Sequence, residues 1–125
     1  MVKAIHTDRA PQAIGPYSQA IDAGDLLFVS GQIPLDPETM EVVEGDIATQ
    51  TDQVMKNLEA ILTEAGASFS QVVKFTIYIT NMADFATINE AYAKFLQEPY
   101  PARATVEVSQ LPKGVGVEMD AIVKK

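Results

Sequence analysis

The chain has no cysteine, one histidine and only two arginines, Arg9 and Arg103, in 125 residues. Without cysteine there is no disulfide framework, no thiol nucleophile and no thiolate metal site. His6 is the only imidazole, so a Ser-His-Asp triad would rest on a residue six from the terminus; a first-strand or surface role is expected for it instead. One histidine with no cysteine leaves no zinc cluster. Positive charge is scarce: nine Lys and Arg against 17 Asp and Glu give a net charge of −8. Such a surface lacks the basic stripe that displaces counterions from a nucleic acid, and it does not suit an anionic membrane. The opening "MVKAIHTDRAPQ" has no apolar core, so no signal peptide is expected. No apolar run approaches membrane-spanning length, and a cytoplasmic location is expected. There is no G-x-G-x-x-G, and "KGVG" near residue 113 lacks the spacing and ending of a phosphate loop. No cofactor motif is present, and neither a cofactor nor a metal is expected.

What is present reads as one compact domain over residues 1–125, with no repeat, low-complexity segment or long linker. "VKAIHT" alternates as a first strand. "QAIGPYSQAI" breaks at Gly15-Pro16 and then resumes an extended pattern. Leu26 to Val29 form an apolar strand ending in Ser30-Gly31. From Asp46 the period changes. Val54, Leu58, Ile61, Leu62 and Ala65 share one helical face, with Asp46 or Thr49 as cap and Gly66 just past the end. "VVKFTIYIT" returns to period two, with Val73, Phe75, Ile77 and Ile79 on one side and Lys74, Thr76, Tyr78 and Thr80 on the other. A second helix follows, capped by Asp84, striped by Phe85, Ile88, Tyr92, Phe95 and Leu96, and ended by Glu98-Pro99. "RATVEV" and "VGVEMDAIV" close the chain as strands.

This order predicts an α+β sandwich of two layers, with two helices on one face of the sheet. The pattern places Thr105 with Arg103, and Thr76 with Lys74 and Tyr78, on the opposite face. Nothing else in the chain covers that face. It is either open to water or buried against another copy.

Few residues are equipped for chemistry. Arg103 stands at the mouth of a strand. Its guanidinium matches a carboxylate with two parallel hydrogen bonds, which lysine does not. It either anchors a small carboxylate ligand or forms an internal ion pair, for instance with Glu107. Glu118 lies mid-strand between apolar neighbours, either orienting a water or moving a proton, or paired with a cation such as Arg103. Tyr17 either walls a pocket or packs in the core. Gly31, beside Ser30, lets backbone N–H groups approach a ligand or merely ends a strand. Asn89 interrupts a helix and points either into a pocket or to solvent.

Together these residues resemble the RidA/YjgF family of enamine/imine deaminases. The likeness covers nearly the whole chain. It runs through "IGPYSQAI", "FVSGQIPLDP", "INEAYAKFL" and "PARATVEV", and through the spacing from Arg103 by way of Pro-Lys-Gly to Val117-Glu118-Met119. The resemblance implies a chorismate-mutase-like fold, a mixed and mostly antiparallel sheet, and a homotrimer with active sites between subunits. It implies hydrolysis of 2-imino acids, such as 2-iminobutanoate and 2-iminopropanoate, to 2-oxo acids and ammonia. Arg103 would bind the substrate carboxylate and Glu118 would position water. Tyr17, Ser30, Gly31, Asn89 and Thr105 would line the pocket. Family members often carry Cys where this chain has Thr105. Three other classes compete: a 2-oxo acid sensor without turnover, an RNA-acting translation inhibitor, which the charge opposes, and a structural trimer in which Arg103 and Glu118 simply pair.

Overall fold

The structure is a computed structural model that describes residues 2–125. Its longest element is a helix, α1, over Ile47–Glu64. Asp46 caps it, accepting from the Thr49 backbone N–H and from the Thr49 hydroxyl, each at 3.0 Å. Of the two cap candidates, Asp46 therefore does the capping. Those two bonds hold its carboxyl below the ordinary range. Gly66 follows the helix at φ +76, a left-handed conformation that a glycine adopts without steric cost. Val54, Met55, Leu58, Ile61 and Leu62 face inward and are all at most 1% exposed. Each such aliphatic side chain stabilises the fold by about 1.5–3 kcal/mol relative to exposure.

The helix packs on a sheet of six strands: β1 (Lys3–Ile5), β2 (Ala20–Asp22), β3 (Leu26–Gln32), β4 (Val72–Ile79), β5 (Ala102–Glu107) and β6 (Val117–Lys124). Their spatial order is β1-β2-β3-β6-β4-β5. Only the β4–β5 pair is parallel. The second helix, α2, spans Phe85–Ala93 and lies beside α1. The two helices and one sheet face enclose the core, where Phe75, Ile77, Val117, Met119 and Val123 are nearly inaccessible. The expected two-layer α+β sandwich is thus the observed one. Among the described residues no helix is long and apolar enough to cross a membrane.

Local departures from the sequence pattern have identifiable causes. β3 does not end at Ser30-Gly31 but continues to Gln32 through an irregularity between Val29 and Gln32, where two residues oppose one on β6. A similar shift between Val72 and Lys74 reverses one expectation: Val72 is buried and Val73 is 45% exposed. Asp84 makes no side-chain capping bond. Asn81 does so instead, accepting from Ala83 N–H at 3.0 Å in a short 3₁₀ turn before α2. α2 also stops at Ala93, short of Glu98-Pro99, because Phe95 and Leu96 bond back three residues and tighten the chain out of the helix.

Arg103 and Thr105 share a face, as expected, but it is the helix-covered face. In the parallel pairing Arg103 lies beside Phe75 and Thr105 beside Ile77, both core residues. The reason is tertiary: β5 is an edge strand whose facing is set by its parallel register with β4, and its polar side chains sit at the rim of the core.

The loop before β2 is tied down by Gln19, which is 2% exposed. Its amide accepts from Thr7 N–H at 2.7 Å and donates to the carbonyls of Thr7 and Pro11 at 3.0 and 2.8 Å. Replacing Gln19 with Leu keeps the volume and strands these groups. Urea titration of Gln19→Leu is expected to give a loss of about 1–3 kcal/mol, the cost of buried unpaired polar groups; an unchanged midpoint would show that the loop re-forms its bonds elsewhere.

Candidate functional site

The Arg103 guanidinium is gripped from α2. Phe85, Asn89 and Tyr92 recur at spacings of four and three, so they line one side of the helix. Arg103 Nη1 donates to Asn89 Oδ1. The guanidinium carbon lies 5.4 Å from the Phe85 ring centroid and 5.5 Å from that of Tyr92. Ring faces attract a cation at this range. Burial pushes the Tyr92 phenol up, so its ring stays neutral beside the cation.

Among the described residues no carboxylate pairs with Arg103. Glu107, the ion-pair partner considered from sequence, instead accepts from Met82 N–H at 2.7 Å. Four of the five guanidinium donors therefore have no protein acceptor among the described residues. They border a cleft of about 480 Å³ lined by Asn89, Tyr92, Leu96, Tyr100 and Arg103. Nearby on the same strand face, the Thr105 hydroxyl is buried without a hydrogen-bond partner among the described residues. A polar ligand would satisfy it.

Glu118 lies elsewhere. It pairs in register with Tyr78, while Val117 and Met119 on either side face the core. Alternation therefore sends Glu118 to the opposite sheet face from Arg103. An Arg103–Glu118 pair within one chain is excluded. The Glu118 carboxylate rests against Gly31: a methyl group there would fall 2.1 Å from Glu118 Oε2. Burial is the main cause that pushes the Glu118 carboxyl up, and the neighbouring Asp120 charge adds to it.

Ser30 belongs to this second group, with its hydroxyl already engaged. It donates to the Ser18 carbonyl at 2.6 Å, and Ser30 N–H donates to the Gln19 carbonyl at 2.9 Å. Tyr17 precedes Ser18 and is 52% exposed, so it is not a core residue.

Six of the seven residues singled out from sequence thus fall into two clusters. Arg103, Asn89 and Thr105 gather where β5 meets α2, and Ser30, Gly31 and Glu118 gather at β3 and β6; Tyr17 lies in the exposed loop before β2. β3 and β5 are three strand spacings apart, about 14 Å. The sequence reading assigned Phe85 and Tyr92 to the core stripe alone and missed their contact with Arg103. The signal was available: Asn89 sits between them on the same helical side.

Comparison with known proteins gives a consistent set of relatives. Residues 7–125 match the family model described as Endoribonuclease L-PSP. The chain is 57% identical over 122 residues to Protein DfrA of Myxococcus xanthus, covering 96% of this chain and 93% of that protein. It is 55% identical over 123 residues to a RutC family protein of Pyrococcus abyssi, covering 98% of this chain and 97% of that one. Among solved structures, RidA from the Antarctic bacterium Psychrobacter superposes with a TM-score of 0.94 at 48% identity, covering 98% and 99% of the two chains. E. coli TdcF with bound serine superposes with a TM-score of 0.94 at 45% identity, covering 98% of each chain.

The contact of Glu118 with Gly31 is directly testable. Gly31→Ala is expected to fold, since the group it meets is the free end of a side chain, and to displace the Glu118 carboxylate by more than about 1 Å. A crystal structure with Glu118 unmoved would show that the strand backbone yields instead.

Proposed function

The chain belongs to the RidA/YjgF family, and from that premise we propose that it is an imine deaminase, hydrolysing small 2-imino acids such as 2-iminobutanoate and 2-iminopropanoate to 2-oxo acids and ammonia. The observation that carries this reading is the Arg103 guanidinium, fixed by Asn89 and two rings yet holding no carboxylate among the described residues. A planar cation with free parallel donors suits a small organic acid. The serine bound to E. coli TdcF is such an acid.

The chemistry asks little beyond positioning. A protonated imine is already electrophilic at its C=N carbon. Water adds there, its oxygen forming the new C–O bond, while Glu118 takes the released proton. Returning that proton to nitrogen makes ammonia the leaving group; as the C–N bond breaks, the carbonyl forms and the hydroxyl proton passes to Glu118 and on to the departing ammonia, which leaves as ammonium. Arg103 holds the carboxylate throughout, so the reacting carbon stays in reach of the water. Thr105 supplies a hydroxyl beside the anchor, Asn89 positions the anchor, and Tyr17, Ser30 and Gly31 line the water side. Such a reaction needs no covalent nucleophile. It would serve in the cytoplasm, removing reactive imines released by pyridoxal-phosphate dehydratases.

Because Arg103 and Glu118 leave opposite faces of one sheet, a site that uses both takes them from two copies. Contact between the β5 edge of one chain and the β3–β6 face of the next joins different surfaces, and such contacts form a ring when the rotation between copies closes. A homotrimer is the proposed ring. The sheet face away from the helices supports burial against another copy, because Phe28 and Val106 on it are 44% and 42% exposed. An RNA-cleaving alternative is opposed by the net charge of −8.

Two experiments bear on these points. With 2-iminobutanoate generated in place by threonine dehydratase, Arg103→Lys is expected to lower kcat/KM about 10- to 100-fold at unchanged thermal stability, as the paired charged hydrogen bonds are lost. Parental activity in that variant removes the anchoring role. Separately, inactive Arg103→Ala and Glu118→Ala chains, refolded together, are expected to regain about a quarter of the parental activity, because random assembly leaves that share of shared sites intact. No recovery would overturn the shared site.

A further inference from the structure

On the sheet face away from the helices, two carboxylates and a phenol form a connected group. Glu118 and Asp120 stand two residues apart on β6, so their side chains leave the same face about 7 Å apart. Tyr78 lies opposite Glu118 in register, yet its hydroxyl reaches diagonally and donates to Asp120 Oδ2 at 3.0 Å. Gly31 closes the other flank of Glu118. Within the chain, the remaining charged groups on this face are Lys74 on β4, opposite Ile122, and Lys124 at the end of β6; on the shared-site reading Arg103 of the next copy also comes to face Glu118, where the substrate carboxylate engages it. β3 presents Phe28, Ser30 and Gly31 here, and β5 presents Ala102, Ala104 and Val106, none of them titratable. Among the described residues neither lysine pairs with either carboxylate.

We propose that Asp120, held by the Tyr78 hydroxyl beside Glu118 on the same face of β6, is a positioning residue for Glu118 that sets the acid limit of the reaction. This rests on the deaminase reading for its kinetic part. Two neighbouring carboxylates resist ionising together, and whichever has the better hydrogen-bond donor keeps its charge. Tyr78 donates to Asp120, whereas Glu118 accepts no hydrogen bond among the described residues. Burial is the main cause that raises the proton affinity of Glu118, and the Asp120 charge adds to it. The Tyr78 phenol is itself pushed up, mainly by burial, so it remains a donor across the working range. A Glu118 carboxylate with raised proton affinity is a stronger base toward the attacking water, and a proton taken up there is available for departing nitrogen. The sign follows. Activity needs Glu118 ionised and falls as pH drops through its titration. Removing the Asp120 charge lowers that titration and extends activity toward acid.

The test is an NMR titration of the assembled full chain labelled with carboxyl-¹³C glutamate, the Glu118 signal being identified by its loss in Glu118→Gln. Asp120→Asn retains the shape and the acceptor for Tyr78. Its Glu118 midpoint is expected at lower pH than the parent's, with Asp120→Glu returning it toward the parent and Tyr78→Phe lowering it by less. In the coupled 2-iminobutanoate assay, the Asp120→Asn to parent ratio of kcat/KM is expected to be about twofold or more higher at pH 5 than at pH 8. An unmoved midpoint in Asp120→Asn overturns the proposal whatever the activity. A moved midpoint with equal kinetic losses at both pH values overturns its kinetic part. If the parent turns over no imine while the midpoint still moves, the deaminase reading fails and the coupling of Asp120 to Glu118 stands.

Discussion

The grip of α2 on Arg103 is the contact on which the candidate site depends. A guanidinium on an edge strand would ordinarily sweep through solvent. Here Asn89 fixes one nitrogen, and the Phe85 and Tyr92 rings lie within 5.5 Å of its carbon. Those rings are placed by the core. Phe75 meets Tyr92 edge-on at 5.3 Å, and Ile88 is buried one residue before Asn89. A polar anchor thus takes its orientation from apolar packing, and its side-chain entropy is lost on folding rather than on binding.

The pleat of the sheet imposes the second constraint. Register pairs Arg103 with Phe75 on one side and Glu118 with Tyr78 on the other. No rotamer carries a side chain through a sheet. If both residues act on one substrate, the protein is active only as an assembly, and the exposed apolar groups on the helix-free face belong to the same logic. The surface that would make the assembly also carries Glu118.

Charge acts differently near and far. The chain as a whole is strongly acidic, yet the cleft beside α2 holds an arginine without an acid partner among the described residues. A protonated 2-imino acid carries a cation and a carboxylate and is neutral overall. Its 2-oxo acid product is an anion. On the proposed reaction, the field of the protein leaves the substrate untouched and favours release of the product, while recognition is left to one fixed local charge.

The elements were legible in the sequence because each is governed by nearby residues. The period of Val54, Leu58, Ile61 and Leu62 marks α1, Asp46 and Gly66 bound it, and alternation marks β4 and β6. Arg103 and Glu118 stood out by type and position, but the sequence left each open between a ligand role and an internal ion pair. Where the pattern misled, non-local forces decided. A shift against β6 turned Val73 outward, and 3₁₀ turns ended α2 early. Packing against β4 rotated Arg103 and Thr105 to the helix side. Sequence by itself determined which groups are available for chemistry, since composition admits two guanidinium groups, one imidazole and no thiol. Only the tertiary structure decided that Arg103 and Glu118 lie on opposite faces, because the face of an edge strand is set by the neighbour it joins, not by its own alternation.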